Sequence, residues 1–192
     1  MELDFVEIFI LSAIQGISEF LPISSSAHIF LISEIKNFSS QSLFVDIGLH
    51  LGSLLAIIIY FRKDLLSISK DKSLLILLVA GSIPLVVIGA ITYYSGLIYY
   101  LRNIETVAYA TLIFAFFLYF ADKFEVKKKI SNNLSLKSIC IIGILQALAV
   151  IPGVSRSGIV ITAGRFLNFS RYDSTKISLF LSIPAIMGAS FL

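Results

Sequence analysis

Apolar residues run along this 192-residue chain in long segments that are either continuous or interrupted. A helix that crosses a membrane needs about 20 mostly apolar residues. Four continuous segments approach that length, and they are residues 42–61, 74–94, 107–121 and 177–192. The pattern therefore predicts four spanning helices, of which the first carries Asp46 and His50 and the second contains Pro84.

Two further apolar segments, residues 5–31 and 138–169, are too long for a single span and are interrupted in the middle. The first is broken at Pro22 and the serines 24–26, and the second at residues 152–158. Each segment therefore predicts a helical hairpin that enters and leaves on one side. Because non-helical backbone at membrane depth is tolerated only where protein or water covers it, both breaks should face an internal cavity.

The composition agrees with a lipid environment. Hydrophobic residues make up 57% of the chain and charged residues 14%, against about 45–50% and about 25% in an average soluble domain. These values exclude a disordered chain and a soluble nucleic-acid binder, despite the net charge of +3. The single cysteine, Cys140, and the two histidines, His28 and His50, exclude a disulfide framework and a cysteine- or histidine-rich metal centre.

Basic residues are concentrated in two of the predicted loops. Loop 62–72 contains four of them and loop 122–137 contains five, whereas the intervening loops contain one each, Lys36 and Arg102. Loops rich in Lys and Arg lie on the cytoplasmic side of a membrane. The second hairpin is therefore predicted to enter from the cytoplasm, and the first from the opposite side.

A weak internal repeat relates the two hairpins. Gln15, Pro22 and the serines of the first break have counterparts in Gln146, Pro152 and the serines of the second break. Three predicted spans lie between the copies, so the copies would have opposite topology. Inverted repeats with broken helices place a polar site at the repeat interface. Because the similarity is short, chance is the alternative explanation.

The expected fold follows from these features. It is an all-α, polytopic membrane protein with inverted-topology repeats, each of which opens with a re-entrant helical hairpin. We expect one integral membrane domain over residues 1–192. Repeat one would cover about 1–121 and repeat two about 138–192, the second incomplete at its C-terminal end.

The first break lies in QGISEFLPISSSAH, residues 15–28. Gln15 and Glu19 are four residues apart and share one face of a helix. A carboxylate, a serine run and the imidazole of His28 within ten residues are a costly set to place in lipid, which is typical of a functional site. The alternatives are that the serines cap a helix, that Gln15 makes a polar packing contact, and that His28 lies at the membrane interface.

The second break contains PGVSRSG, residues 152–158. Gly153 and Gly158 permit tight backbone geometry, and Ser155 and Ser157 flank Arg156. A guanidinium is always charged and binds phosphate oxygens in a bidentate fork. An arginine in the middle of a hairpin therefore indicates an anion, or else a protein carboxylate as its partner.

Together the breaks would form a site that contains Glu19, the serines, His28 and Arg156. This set suits phosphoryl transfer, in which catalysis is mostly positioning and charge stabilisation. Glu19 could also hold a metal, since Mg²⁺ often binds one or two carboxylates together with substrate phosphates. The membrane location indicates a lipid-borne phosphate. Arg156 could pair with Glu19 before the substrate arrives, so the two partners of the arginine are compatible.

At these two breaks the sequence resembles the undecaprenyl-diphosphate phosphatase family, the bacitracin-resistance type of membrane phosphatase. Residues 46–65, DIGLHLGSLLAIIIYFRKDL, also resemble the stretch that follows the first signature in that family. The resemblance implies hydrolysis of the C55 prenyl diphosphate to the monophosphate carrier and inorganic phosphate. That reaction would recycle the carrier for peptidoglycan synthesis and maintenance of cell shape. A divalent cation, Mg²⁺ or Ca²⁺, is implied as cofactor.

The resemblance also assigns roles to residues. Glu19 matches the signature glutamate and would bind the metal, Gln15 the Glu/Gln position, Ser25 the nucleophile, His28 the signature histidine and Arg156 the phosphate-binding arginine. The further residues expected to contact the substrate are Ser24, Ser26, Gly153, Ser155 and Ser157. The family usually has a threonine where this chain has Val160, so one hydroxyl contact would be missing.

The implied location is the bacterial inner membrane, with several spans and an active site that faces the extracytoplasmic side. The expected partners are the polyprenyl diphosphate lipid and the membrane, without nucleic acid, and a second copy of the chain as a homodimer. Two alternative functions stay open from the sequence. One is a flippase or transporter that performs no hydrolysis, and the other is an inactive fragment, because family members continue beyond an apolar run like the one at Leu192.

Overall fold

The computed structural model describes residues 4–38 and 42–190, and most of these residues are helical. In the first half the helices are α1 (Phe5–Ser18), α2 (Ser25–Lys36), α3 (Leu43–Tyr60), α4 (Arg62–Lys70), α5 (Lys72–Tyr94) and α6 (Leu97–Leu101). In the second half they are α7 (Ile104–Asp122), α8 (Ile130–Asn133), α9 (Leu136–Gln146), α10 (Arg156–Phe166) and α11 (Arg171–Ser190). A 3₁₀ turn, Ala147–Val150, continues α9. The predicted all-α class is confirmed.

Four long helices lie close to where the apolar pattern predicts spanning segments. By length and composition, α5 and α7 are long and apolar enough to cross a membrane. Helix α3 coincides with the predicted segment 42–61, and α11 overlaps the predicted segment 177–192 but begins six residues earlier, and residues 191 and 192 lie outside the described part of the chain. One predicted loop differs from the structure, because residues 62–70 form α4. The reason is that Phe61 and Leu65, four residues apart, pack against the core while Arg62 and Lys63 are exposed, which is the pattern of an amphipathic helix.

Both segments that predict hairpins contain two helices joined by a break, and entry and exit on one side of the membrane stays a prediction. Helices α1 and α2 are joined by a break at residues 19–24, and the α9 arm and α10 by a break at residues 151–155. Each hairpin is followed by a long helix that packs against it, α3 in the first case and α11 in the second. The two halves therefore share one order of elements. Their opposite orientation in the membrane stays a prediction.

Helix α7 and the second hairpin are fixed to each other at one end by Arg165. This residue is buried, and its guanidinium donates to the carbonyl oxygens of Phe169 at 2.6 Å, Asp122 at 2.9 Å and Phe124. The last carbonyls of a helix have no partner within the helix. Arg165 satisfies carbonyls at the end of α7 and so holds α10 beside it.

Helices α5 and α9 cross with their backbones in contact. A Cβ atom on Gly143 would lie 2.3 Å from the carbonyl oxygen of Gly81. Small residues permit such an approach between helices in a membrane. Next to this crossing lies the largest core cluster, whose members include Ile139, Ile142 and Leu181.

Candidate active site

Glu19 is the centre of the site. It follows directly after α1, and only 6% of its surface is exposed. Ser25 donates its hydroxyl to Oε2 at 2.6 Å, and Gln15 donates from Nε2 to the same oxygen at 3.1 Å. Arg156 forms an ion pair with Oε1. The two breaks therefore meet at this carboxylate, as the sequence led us to expect.

The first break is shaped so that a serine hydroxyl points back at Glu19. Ser24 precedes α2 and has a positive φ of 61°, a conformation that a residue with a side chain rarely adopts. Such backbone strain is concentrated at functional sites. Helix α2 then begins at Ser25, whose side chain is buried and reaches the carboxylate.

The second break is held against α7. Gly153 has a φ of 97°, and a Cβ atom there would lie 2.6 Å from the carbonyl oxygen of Val107. Thr111 donates to the carbonyl oxygen of Gly153 at 3.2 Å. Ser155 caps α10 by accepting from the amide of Gly158 at 3.1 Å. These contacts fix the first residue of α10, Arg156.

The serines of the two breaks form similar pairs. The hydroxyl oxygens of Ser24 and Ser26 lie 3.4 Å apart, and those of Ser155 and Ser157 lie 3.1 Å apart. Ser157 also donates to the carbonyl oxygen of Leu21 at 2.9 Å. That bond joins the second break to the first. Ser157, which is expected to contact the substrate, therefore also holds the two breaks together.

The structure does not bring His28 to the carboxylate. His28 is exposed, and its Nδ1 lies 2.8 Å from the carbonyl oxygen of Ser24, the residue before α2. The other histidine is there instead, because Nε2 of His50 lies 3.6 Å from Oε2 of Glu19. A catalytic role for His28 stays a prediction, and the geometry favours His50.

One face of α3 supplies three polar groups that the sequence reasoning did not assign to the site. They are Asp46, His50 and Ser53, which are spaced so that they lie on one side of a helix. Ser53 lies 3.3 Å from Nε2 of Gln15, and Asp46 accepts from Arg102 at 2.6 Å. The signal that could have assigned these residues to the site is their spacing of four and three residues within an otherwise apolar helix.

The site opens into a cavity of about 320 Å³. The predicted residues that line it are Glu19, Ser24, Ser25, Ser26, Ser155, Arg156 and Ser157. Apolar residues also line the cavity, and they include Phe30, Leu85, Val86 and Ile186. Gln15 and Gly153 are not among the lining residues. Gln15 donates a hydrogen bond to Glu19, and the backbone of Gly153 fixes the second break against α7. The cavity is therefore lined by charged and polar side chains and by apolar side chains.

The residues present do not form a ready-made cation site. Among the described residues there is no group of three or more His, Cys, Asp or Glu side chains that could hold a metal ion. Both oxygens of Glu19 are engaged, one by Arg156 and the other by Ser25 and Gln15. A cation at Glu19 would have to displace these donors.

The long apolar helices are typical of an integral membrane protein. A buried glutamate, a serine and an arginine line a largely apolar cavity inside it. Together these features define an integral membrane protein with an internal polar site. The chain belongs to the family described as bacitracin resistance protein BacA, which it matches over residues 8–192. The resemblance at the two breaks is thereby confirmed.

Curated relatives agree with this family. The chain is 55% identical to the undecaprenyl-diphosphatase of Pelagibacter ubique (strain HTCC1062), over 97% of this chain and 73% of that protein. It is 43% identical to the undecaprenyl-diphosphatase of Elusimicrobium minutum (strain Pei191), over 97% of this chain and 75% of that protein. It is 36% identical to the undecaprenyl-diphosphatase of Erythrobacter litoralis (strain HTCC2594), over 98% of this chain and 78% of that protein.

Proposed function

We propose that this chain hydrolyses undecaprenyl diphosphate to undecaprenyl phosphate and inorganic phosphate, and so recycles the lipid carrier for cell-wall synthesis. The relatives named undecaprenyl-diphosphatase support this reaction. The observation that carries it is the arrangement around Glu19, where Ser25 donates to one oxygen and Arg156 pairs with the other beside an apolar cavity. Each group has a part in phosphoryl transfer.

Arg156 binds the phosphate. Its Nη2 pairs with Glu19, whereas its Nη1 is buried and makes no hydrogen bond to the described part of the chain. A buried donor without a partner costs about 1–3 kcal/mol. A phosphate oxygen would satisfy this donor. The guanidinium would then stabilise the charge that develops on the transferred phosphoryl group.

In the first possible route the enzyme forms a covalent phosphoserine, with Ser25 as the nucleophile and Glu19 as the base. The Ser25 oxygen forms a bond to the terminal phosphorus while its proton passes to Oε2 of Glu19. The bond from that phosphorus to the bridging oxygen breaks, and undecaprenyl phosphate leaves. Water then attacks the phosphorus of the phosphoserine, the bond between that phosphorus and the Ser25 oxygen breaks, and inorganic phosphate is released. The Ser25 oxygen takes back the proton from Oε2 of Glu19, which restores both the serine and the carboxylate. The 2.6 Å contact between Ser25 and Glu19 supports this assignment of nucleophile and base.

The second route is direct attack by water. A histidine would activate that water, and the position of His50 beside Glu19 favours it over His28. Both routes give the same products. They differ in whether the hydroxyl of Ser25 is required.

The membrane side and the partners belong to this proposal. The basic segments 62–72 and 122–137 favour a cytoplasmic location for those segments and an extracytoplasmic site in the bacterial inner membrane. The polyprenyl diphosphate is the lipid partner. A homodimer stays a prediction.

The proposal includes a divalent cation that binds together with the substrate. Because the donors around Glu19 are engaged, we place Mg²⁺ or Ca²⁺ on the diphosphate oxygens and assign it no step. Phosphate release should then fall with chelation by EDTA in proportion to free cation. Activity that is unchanged in excess EDTA would remove the cation from the proposal.

The test is release of inorganic phosphate from a prenyl diphosphate by the purified chain in detergent. We expect release by the chain and a loss of at least a hundredfold in Ser25→Ala if the covalent route holds. The matched control is Ser33→Ala, which removes a buried hydroxyl farther along the same helix. A flippase without hydrolysis would release no phosphate, and near-full activity of Ser25→Ala would leave only the water route.

A further inference from the structure

The cavity has a second arginine. Arg102 follows α6, and its Nη2 donates to Oδ2 of Asp46 at 2.6 Å. Among the described residues that line the cavity, Arg102 and Arg156 are the arginines, and Asp46 and Glu19 are the carboxylates. Each arginine pairs with one of the carboxylates. The cavity therefore contains two ion pairs of the same kind.

The two pairs lie at different depths. The side chain of Arg156 is 16% exposed and that of Glu19 is 5% exposed, against 25% for Arg102 and 14% for Asp46. The outer pair is thus nearer to solvent.

The two pairs are linked through α3. His50 contacts Glu19, and Asp46 is four residues earlier on the same face. Four residues correspond to a rise of about 6 Å along a helix. Asp46 is therefore about one helical turn from the histidine that contacts Glu19, and both ion pairs line the same cavity.

The segments that carry the arginines are also in contact. The second break packs on Val107 and Thr111 of α7, and α7 begins two residues after Arg102. The positions of both arginines relative to α7 are therefore fixed. A guanidinium has five donors, so Arg102 keeps donors for an anion while one of them binds Asp46.

We propose that Arg102 is a second phosphate-binding residue, which holds the outer phosphoryl group of a diphosphate while Arg156 holds the inner one. Asp46 orients the Arg102 guanidinium over the cavity before the substrate binds. This inference rests on the proposed function, because it assigns the diphosphate of that reaction to two arginines. It makes Arg102 a determinant of preference for diphosphates over monophosphates.

The alternative is a structural brace, in which the pair only ties α3 to the segment before α7. The two ideas differ in sign for Asp46→Asn. A brace is lost equally in Arg102→Gln and in Asp46→Asn. A phosphate-binding arginine is lost only in the first, and in the second it is released from a competing carboxylate.

The experiment measures binding of inorganic pyrophosphate and of inorganic phosphate by calorimetry in detergent, together with kcat and KM for a prenyl diphosphate. In Arg102→Gln we expect pyrophosphate to bind about tenfold to a hundredfold more weakly. We expect KM to rise with it, kcat to change by less than about threefold, and phosphate binding to change little. Asp46→Asn should bind pyrophosphate as tightly as the unchanged chain or more tightly. The control is Arg62→Gln, which changes an exposed arginine at the first residue of α4.

The outcomes separate this inference from the proposed function. Equal weakening of pyrophosphate binding in Arg102→Gln and Asp46→Asn would overturn the inference in favour of the brace, as would unchanged binding in Arg102→Gln. Weaker pyrophosphate binding in Arg102→Gln by a chain that releases no phosphate would support the inference and refute the proposed hydrolysis. Arg102→Lys, which keeps the charge, should give an intermediate loss and serves if Arg102→Gln does not fold.

Discussion

The two breaks have the same architecture and contribute opposite chemistry. In each, a hydroxyl pair two residues apart flanks one side chain, which is Ser25 in the first break and Arg156 in the second. Four residues after the matching glutamines, the first half has Glu19 and the second has Val150. One break therefore provides a carboxylate and a serine hydroxyl, and the other provides a guanidinium.

The matching glutamines show the same divergence. Gln15 donates to Glu19 and lies 3.3 Å from Ser53, whereas Gln146 is fully buried and its side-chain nitrogen and oxygen make no hydrogen bond within the described chain. Among the described residues, the glutamine side chain at this repeated position is hydrogen-bonded in the first half and not in the second. A site between two such halves needs them to differ, because two identical breaks would place like charges together.

The largest effect is expected where the two breaks meet. Arg156→Ala should lower phosphate release by at least a thousandfold, since an arginine on the transferred phosphoryl group contributes on the order of 10³–10⁵ to the rate. It should also destabilise the chain by about 3–5 kcal/mol, because it leaves Glu19 buried without its counter-charge. Phosphate release and the melting temperature in detergent are the measurements.

The paired variant Arg156→Gln with Glu19→Gln separates these two effects. It should recover much of the stability and none of the activity. Activity retained in either variant would contradict the assignment of this site.

A change in backbone should affect the two breaks differently. Gly153→Ala should lower the free energy of unfolding by about 1–3 kcal/mol, because of its positive φ and the contact with Val107. Gly16→Ala, in the first hairpin, has no atom within 4 Å of the added Cβ and should raise it by about 0.5–1 kcal/mol. Denaturation curves of both variants check the pair. A similar effect at both sites would mean that the second break is not held by α7.

A smaller effect is expected from the histidines. His50→Ala should lower kcat/KM by about tenfold, which corresponds to about 1.4 kcal/mol, because it removes the imidazole beside Glu19. His28→Ala should lower it less, since His28 is exposed on α2. Steady-state kinetics on a prenyl diphosphate decide the order. The reverse order would restore the role that the family resemblance assigns to His28.

The smallest effect concerns the glutamines. Gln146→Leu should raise the free energy of unfolding by about 1 kcal/mol, because replacing an unsatisfied buried amide with an apolar group removes its desolvation cost. Gln15→Leu should lower it by about 1–3 kcal/mol, because Glu19 loses a donor. Melting temperatures of the two variants test this directly. A loss of stability in Gln146→Leu equal to that in Gln15→Leu would show that both amides are satisfied.

Much of this molecule can be predicted from local patterns. The apolar runs predict the long helices, and Pro22 and Pro152 with the adjoining serines predict the breaks. The pairing of Glu19 with Arg156 was an open alternative for the arginine, since both residues lie at breaks of apolar hairpins. These features depend on spacing and on the cost of burying charge.

The contributions of α3 and Arg102 could not be predicted in the same way. His50 reaches Glu19 only because α3 packs against α1, and Asp46 meets a residue 56 positions away. His28 is close to the carboxylate in sequence but lies on the exposed side of α2. Distance along the chain does not indicate which face of a helix turns inward when several helices pack together.

The contact between Gly81 and Gly143 has a consequence for the width of the cavity. Leu85 is one helical turn beyond Gly81 on α5, Ala149 and Val150 lie in the turn after α9, and all three residues line the cavity. The distance between the two elements that carry these lining residues therefore depends on the contact between the two glycine backbones. A methyl group on Gly143 would push α5 and α9 apart and so change the width of the cavity without substituting any residue that lines it.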